Sequence, residues 1–540
     1  MLHIPILRHG RPYESVEKTD LVHHATGEPV ARVSQANSGL VARDIRRMDD
    51  AVLERFTVAE LLAMCRQAAE LFMTAALPLG DPAGPRQSFE GYIRQLSATT
   101  GMPITYCRNN AEKIRKVLAG MDGVLAGLTR GLDLAVLDRG YGTCGPAAPS
   151  RAESTCGTAA PGCADGEHVV SFHRVGRIFG AVLPSNSPGV HSLWLPAVAL
   201  KAPLVLKPGR EEPWTPLRII EALAAAGVPR EAFSFYPADH AGAAEVLRLS
   251  DRSMLFGDAS TTRPWAADPR VEIHGPGYSK VLLGEDAAEE WERYVDVMVE
   301  SIAANGGRSC INASAIWTPR NGRQIAEALA QRLARIEALP VDDPRAEVAA
   351  FANADVAERI SALIDQQLRE PGAEDVTQRI RGGARLVIRT HGSSRRVAYL
   401  LPTIIWIDPI RARSASEGVA SSPADTAEGG CATRPSASCA THPSASCATH
   451  PLVNREFLFP YASVVECPTA EMPDAIGPTL VVSAITRDRT LIDALMRSPN
   501  VQRLNIGPIP TTQISWDQPH EGNLFELLYR QRAFQMEPAA

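Results

Sequence analysis

At 540 residues the chain is long enough for two or three domains with sizeable cores. Hydrophobic residues at 45% and charged residues at 21% are the mix of a globular protein, and a net charge of −6 argues against nucleic acid or an anionic membrane surface as partner. The opening MLHIPILRHGRPYESVEK lacks the apolar core of a signal peptide, and no uninterrupted apolar run reaches the length of a membrane span.

The N-terminal quarter of the chain carries no motif. Residues 142–168, GTCGPAAPSRAESTCGTAAPGCADGEH, are rich in Ala, Pro, Gly and Ser and hold Cys144, Cys156 and Cys163. From residue 174 short β-branched runs alternate with helical ones. RIFGAVLPSN reads as a strand and turn, HSLWLPAVALKA as helical, LVLKPG as a strand, and TPLRIIEALAAAGV as a helix closed by Gly227. FSFYPAD, AGAAEVLRLSD, SMLFGDA and VEIHG continue the alternation. This order predicts a parallel sheet with helices on both faces, binding ligands at the carboxyl ends of its strands. No G-x-G-x-x-G follows a strand, so any nucleotide must be held in another way.

Residues 303–313, ANGGRSCINAS, set Cys310 among Gly, Asn and Ser instead of bulky apolar neighbours. Bare backbone leaves space around the sulfur and lets another molecule approach. Two readings stand on these residues alone: a nucleophile in a cleft, or a helix-ending loop with an incidental thiol. Residues 412–453 contain an eight-residue repeat, CATRPSAS, CATHPSAS, CATHP, starting at Cys431, Cys439 and Cys447. Neither this stretch nor 142–168 has apolar periodicity, so both are expected as flexible insertions. His442 and His450 lie beside the repeat cysteines, but the spacing fits no standard zinc pattern and no metal is expected. The ten cysteines are scattered through a large chain, unlike a disulfide framework, which predicts a reducing, cytoplasmic setting.

Five segments in order resemble the aldehyde dehydrogenase superfamily, and within it the acyl-CoA reductase and CoA-acylating branch. PSNSPGVHSLW (184–194) is similar to the family's P-W-N-F-P segment and LVLKPGREEPWTP (204–216) to K-P-x-E-x-x-P. NGGRSC is similar to the nucleophile loop N-x-G-Q-x-C, NREFLFP (454–460) to E-x-F-G-P, and LVVSAITRD (480–488) to the strand before the closing segment. The resemblance implies an α/β fold with a Rossmann-type cofactor domain, an α/β catalytic domain and a small oligomerisation hairpin, the N-terminal part forming a helical lead-in. It divides the chain into an NAD(P)-binding domain (1–135 and 168–274), a hairpin with its insertion (136–167), and a catalytic domain (275–411 and 454–510). Residues 412–453 interrupt the catalytic domain, and 511–540 close the structure and contribute to oligomerisation, so a homodimer or higher homo-oligomer is expected.

The same resemblance implies Cys310 as nucleophile, with Asn186 and the Cys310 main-chain N–H stabilising the oxyanion at about 3 kcal/mol per donor. Lys207 would hold the cofactor ribose or phosphate and Glu456 the nicotinamide ribose. Each residue also has a plainer reading: a turn residue before Pro188, a solvated charge capping a strand, an exposed loop carboxylate. Three departures stand out. Arg210 occupies the place of the family's adenosine-ribose glutamate, which tilts the cofactor toward NADP over NAD, although Glu211 and Glu212 follow at once. The phosphate-adjacent G-S segment is Gly257-Asp258. Where hydrolytic members carry E-L-G-G-K, whose glutamate activates water, the chain reads His274-Gly275-Pro276-Gly277-Tyr278-Ser279.

The expected activity is therefore reduction of an acyl-CoA thioester to an aldehyde, or the reverse, with NADP or NAD as cofactor and CoA as co-substrate. The alternatives are a hydrolytic dehydrogenase that oxidises an aldehyde to an acid with His274 as base, and a non-catalytic binding scaffold. Trp516, His520 and Phe525 either line the acyl entrance or pack the last strand and helix.

Overall fold

The computed structural model describes residues 1–144, 168–391, 395–408 and 450–535. Most of the insertion expected at 142–168, and the repeat cysteines and His442 of 412–453, lie outside the described residues. His450 is buried, and its Nδ1 accepts the Leu452 N–H at 3.1 Å.

Two seven-stranded sheets organise the chain. The first runs, edge to edge, through Val271–His274, Arg252–Phe256, Phe179–Val182, Leu204–Lys207, Phe233–Phe235, Ile6–Arg8 and Arg11–Tyr13. Its first five strands are parallel, with Ala181 opposite both Leu206 and Met254. Short, fully apolar runs such as LVL are what a strand covered on both faces requires. The covering elements are the alternating helices read from the sequence, among them Trp214–Ala225, followed by Gly227 at φ 108°, and His240–Leu249, capped by Asp239. Trp194, Trp214 and Phe233 fill the core beneath.

The N-terminal lead-in departs from the helical expectation. Five strands, from Leu2–Ile4 to Pro29–Ser34, come before the helices Ser38–Ile45, Val58–Thr74, Phe89–Thr100 and Ile104–Ala119. In HIPILR, Pro5 separates two short runs whose Ile4, Ile6 and Leu7 are wholly buried. Ile6–Arg8 pairs antiparallel with Phe233–Phe235, so this edge of the parallel sheet finds backbone partners.

The second sheet runs through Ala373–Asp375, Thr403–Ile407, Tyr461–Glu466, Ala315–Thr318, Lys280–Leu283, Thr479–Ile485 and Val501–Ile506. All neighbours are parallel except Ala373–Asp375 against Thr403–Ile407. A smaller antiparallel sheet joins Tyr141–Cys144, His168–Arg174 and the late strand Tyr529–Arg532. The link from the first large sheet to the second is residues 275–279, and the loop bearing Cys310 leads into Ala315–Thr318. Both segments converge on one place. No helix among the described residues is long and apolar enough to cross a membrane.

Candidate active site

The bare loop around Cys310 owes its composition to close approaches. Asn305, Gly306 and Gly307 are consecutive left-handed residues (φ 56°, 66° and 68°), which glycine adopts at little cost. A Cβ on Gly307 would lie 2.3 Å from the Pro460 nitrogen. Asn312 then ties the loop to the helix before it. Its Oδ1 accepts the Ser309 N–H at 2.9 Å, and its Nδ2 donates to the Ala304 carbonyl at 2.9 Å and to Ser301 at 3.2 Å, satisfying carbonyls that a helix end leaves open.

The segment 275–279 holds Cys310 from below. Ser279 Oγ donates to the Cys310 carbonyl at 2.8 Å, and a Cβ on Gly277 would meet that oxygen at 2.1 Å. Asn186, in the turn after Phe179–Val182, donates its amide to the Arg308 carbonyl at 2.8 Å, just upstream of the cysteine. Buried Asn110 joins the two loops: its Nδ2 donates to Asn305 Oδ1 at 2.8 Å and its Oδ1 accepts the Gly189 N–H at 3.1 Å. The structure thus brings Asn186 and Cys310 together. Burial, followed by the charges of Glu521 and Glu456, pushes the Cys310 thiol well above its ordinary pKa, while the thiol's own main-chain N–H and Lys113 work against them. The resting sulfur is a thiol that needs a proton acceptor.

His274 is not a free base. Its Nδ1 lies 2.5 Å from Glu521 Oε2 and its Nε2 2.9 Å from Glu272 Oε1, with Phe256 stacked on the ring at 4.5 Å. Burial disfavours charge on this ring, but the two carboxylates outweigh it and raise the pKa to about 10. An imidazolium at neutral pH cannot take a proton from water.

Glu456 is half-buried. Its carboxylate accepts the Tyr278 N–H at 2.7 Å, and burial raises its pKa to about 8 against the opposing pull of the Tyr278 and Gly277 N–H groups.

The remaining neighbours come from the closing segment. Cys310 Sγ, a ring nitrogen of His520 and a carboxylate oxygen of Glu521 all lie within 4.8 Å of one another. His520 Nδ1 is buried without a hydrogen-bond partner. Burial, then the positive charges of His274, Arg503 and Lys113, press its pKa well below the ordinary value. Arg503, on the strand Val501–Ile506, fixes this segment by donating to the carbonyls of Ser515 (3.0 Å) and Pro519. Phe525 packs in the core, stacked with Tyr529 at 5.4 Å, and Trp516 lies over Lys113.

A cavity of about 830 Å³ opens at the carboxyl end of Leu204–Lys207. Lys207, Gly209, Arg210, Glu211, Asp239 and His240 line it. Gly209 must stay bare, because a Cβ there would lie 2.4 Å from Ser185 Oγ and 2.5 Å from the Pro184 carbonyl. Burial lowers the pKa of Lys207, with the charges of Glu211 and Asp239 opposing. Arg210 is exposed and makes no hydrogen bond or ion pair among the described residues. Glu212 is spent elsewhere: its carboxylate accepts the Thr215 N–H at 2.8 Å and lies 2.7 Å from His191 Nε2. A roomy cavity rimmed by a half-buried ammonium and an idle guanidinium suits a dinucleotide phosphate or ribose. Gly257 and Glu456 do not line it. Asp258, at the departure from G-S, caps the turn Ala259–Thr262 by accepting the Thr261 N–H at 2.9 Å.

Residues 147–409 match the family model described as the aldehyde dehydrogenase family. The structure is similar throughout to an aldehyde dehydrogenase from Bacillus cereus solved as an NAD+ complex (15% identity, 99% of this chain and 97% of that one, TM-score 0.67). It is similar too to an NADP-dependent enzyme from E. coli (15% identity, 99% and 98%, TM-score 0.65). The chain has the aldehyde dehydrogenase fold. A curated relative, the aminoacetaldehyde dehydrogenase of Pseudomonas aeruginosa, is 26% identical over 243 residues, 42% of this chain and 45% of that one. The chain spans just under half the length of the curated relatives it matches.

Within this aldehyde dehydrogenase fold, sequence reading missed Glu521, Lys113 and Asn110, and left His520 without a role. Each sits far along the chain from Cys310 and in no motif. The one signal available was the unusual density of polar and aromatic groups in SWDQPHEGN. Among the described residues, Cys310, His520 and Glu521 are also the set that could offer donor atoms to a metal ion.

Proposed function

We propose that the protein oxidises an aldehyde to a carboxylic acid through a thioester on Cys310, with NAD+ or NADP+ bound at the Lys207 cavity. The observation that carries this reading is Cys310 on an open loop braced by Asn186 and Ser279, with ionisable groups of the closing segment within 4.8 Å of its sulfur. The aldehyde dehydrogenase name of its curated relative supports it.

When bound, the cofactor supplies a hydride acceptor. The chain's own residues do the rest. Cys310 Sγ bonds to the aldehyde carbon as its proton leaves. The carbonyl oxygen takes the displaced electron pair and is stabilised by the second N–H of the Asn186 amide and the Cys310 N–H. After oxidation, water attacks the thioester carbon, the C–S bond breaks and the acid departs. Lys207 and Arg210 would hold cofactor phosphate or ribose, and the unpaired Arg210 favours a 2′-phosphate.

A second reading, acyl transfer between Cys310 and CoA, is supported by His274, which stands in the glutamate's place and is locked between Glu272 and Glu521. We further infer a homo-oligomer built on the small antiparallel sheet, where Tyr141 (41% exposed) and Val169 (37%) are open. A reducing, cytoplasmic setting suits the free thiol of Cys310.

One assay separates the readings. Purified protein receives NAD+ or NADP+ and an aliphatic aldehyde, with and without CoA, and reduced cofactor is followed beyond one turnover. Sustained turnover without CoA is expected, and Cys310→Ala should abolish it while cofactor binding persists. A single burst that resumes only with CoA would replace water by CoA, and no reduction in either arm would refute both.

A further inference from the structure

We propose that the turn His520-Glu521 is the acid–base element of the Cys310 site, His520 being the proton acceptor and Glu521 the residue that positions it and stabilises its charged form. The inference rests on the aldehyde-oxidising reading but identifies groups that no motif supplied.

Three observations carry it. First, a ring nitrogen of His520 and a carboxylate oxygen of Glu521 lie within 4.8 Å of the Cys310 sulfur and of one another. That gap is closed by one water or by tightening around substrate, as is common before a ligand binds. Second, His520 is a half-buried ring whose Nδ1 is itself buried and has no partner, whereas His274 has both nitrogens committed. A buried polar atom left unpaired is costly and calls for an explanation in function. Third, the turn is built to hold this geometry. Glu521 takes a left-handed φ of 54°, which a non-glycine residue rarely adopts without a purpose. The His520 N–H donates to the Gly522 carbonyl at 3.1 Å, and Gly522 leaves no room for a side chain, since a Cβ would meet Glu272 Oε2 at 2.0 Å. Asn523 anchors the far side by donating to the Leu128 carbonyl at 2.9 Å.

The charge pattern gives the turn its direction. Glu272 and Glu521 flank the protonated His274 ring, two carboxyl groups to one imidazolium. The groups that face this cluster are His520 and the Cys310 thiol, with Lys113 and Arg503 beyond the ring and Glu456 beyond the sulfur. Moving a proton from sulfur to His520 places an imidazolium next to Glu521 and a thiolate near Lys113, but burial and the cations His274, Arg503 and Lys113 oppose the first charge and burial with Glu521 and Glu456 the second, so neither ion rests there and the proton transfers as the S–C bond forms. In the first half-reaction the S–H bond breaks, the proton goes to the His520 ring and the S–C bond forms. The ring then releases that proton to solvent. In the second, a water O–H bond breaks toward the same ring as its oxygen attacks the thioester carbon, the C–S bond breaks, and the ring passes that proton to the departing sulfur, which restores the thiol.

The test uses the whole protein and two readouts. Alkylation of Cys310 by iodoacetamide, located by mass spectrometry and measured from pH 5 to 10, reports removal of the thiol proton as the sulfur attacks, without any turnover. Aldehyde-dependent reduction of NAD+ or NADP+ reports the full reaction. His520→Gln should slow alkylation across the neutral range, where the ring accepts the proton as the sulfur attacks, leaving reaction only where the thiol itself ionises, and should lower turnover about 10²-fold or more. Added imidazole should partly restore turnover in His520→Ala, which a merely structural role would not allow. Glu521→Gln should weaken both readouts less than His520→Gln. If turnover in the unmodified protein is robust and His520→Gln leaves both the alkylation profile and the turnover unchanged, the proposal is overturned. If no aldehyde is oxidised yet His520→Gln shifts the alkylation profile, the pairing stands and the aldehyde reading fails.

Discussion

Replacing Gly277 by alanine should damage the site more than its size suggests. The added methyl carbon would lie 2.1 Å from the Cys310 carbonyl oxygen, 2.9 Å from the carbonyl carbon and 3.1 Å from Leu480 Cδ2. Ordinary contact begins at 3.4 Å, so the nearest pair falls short by about 1.3 Å. Neither side yields easily. Gly277 accepts the Leu480 N–H at 2.7 Å, and the Cys310 carbonyl is held by Ser279 Oγ at 2.8 Å. The loop must therefore move by on the order of 1 Å, a displacement that costs roughly 10²-fold in rate when it misplaces a reacting group. Overpacking of this kind also removes about 1–3 kcal/mol of stability. The assay is kcat/KM for a short aliphatic aldehyde together with the thermal midpoint and cofactor affinity. A fall of about 10²-fold with cofactor affinity unchanged is expected. Activity within twofold of the unmodified protein would show that the 277–310 contact does not position the nucleophile.

Other outcomes follow from charge. NADPH should bind about tenfold more tightly than NADH, the scale of a charge-assisted hydrogen bond, and Arg210→Glu should narrow or reverse that order in a fluorescence titration; equal affinities in the unmodified protein would remove the argument. The fold raises His274 from 6.5 to about 10, so its stabilisation is complete below pH 6.5 and fades as pH climbs through 10. The fold also raises Glu456 from 4.5 to about 8, so stability falls as pH rises across that interval. The thermal midpoint should therefore decline from pH 6 to 10, with Glu456→Gln flattening the lower part of the decline and His274→Gln the upper. A midpoint that rises over this range would contradict both assignments.

Much of the architecture was legible because it is written in local pattern. Apolar runs such as LVL and SMLF, punctuated by helices that end at Gly227 or begin at Asp239, specify strand, helix and order within a few residues of themselves. The bare loop before Cys310 was legible for a similar reason: three left-handed residues in a row suit the Asn-Gly-Gly that stands out in the sequence. The environment of His274 was not. Its charge is set by Glu521, 247 residues away, and no periodicity connects a strand end to a turn in the closing segment. Ile6–Arg8 and Arg11–Tyr13 escaped because they extend the edge of a sheet formed much later in the chain, with Leu7 facing Phe235. Glu212 looked equivalent to Glu211 in sequence, and only packing against His191 separates them.

The placement of His520 and Glu521 near the end of the chain has a consequence for synthesis. Cys310 leaves the ribosome well before His520, by an interval of roughly 10–40 s at ordinary elongation rates. Through that interval the sheet strand Ala315–Thr318 can form and the sulfur can be enclosed, but the turn that lies against it does not yet exist. A nascent chain therefore carries its thiol in an unactivated form, and reactivity toward cellular electrophiles arrives only with the turn His520-Glu521.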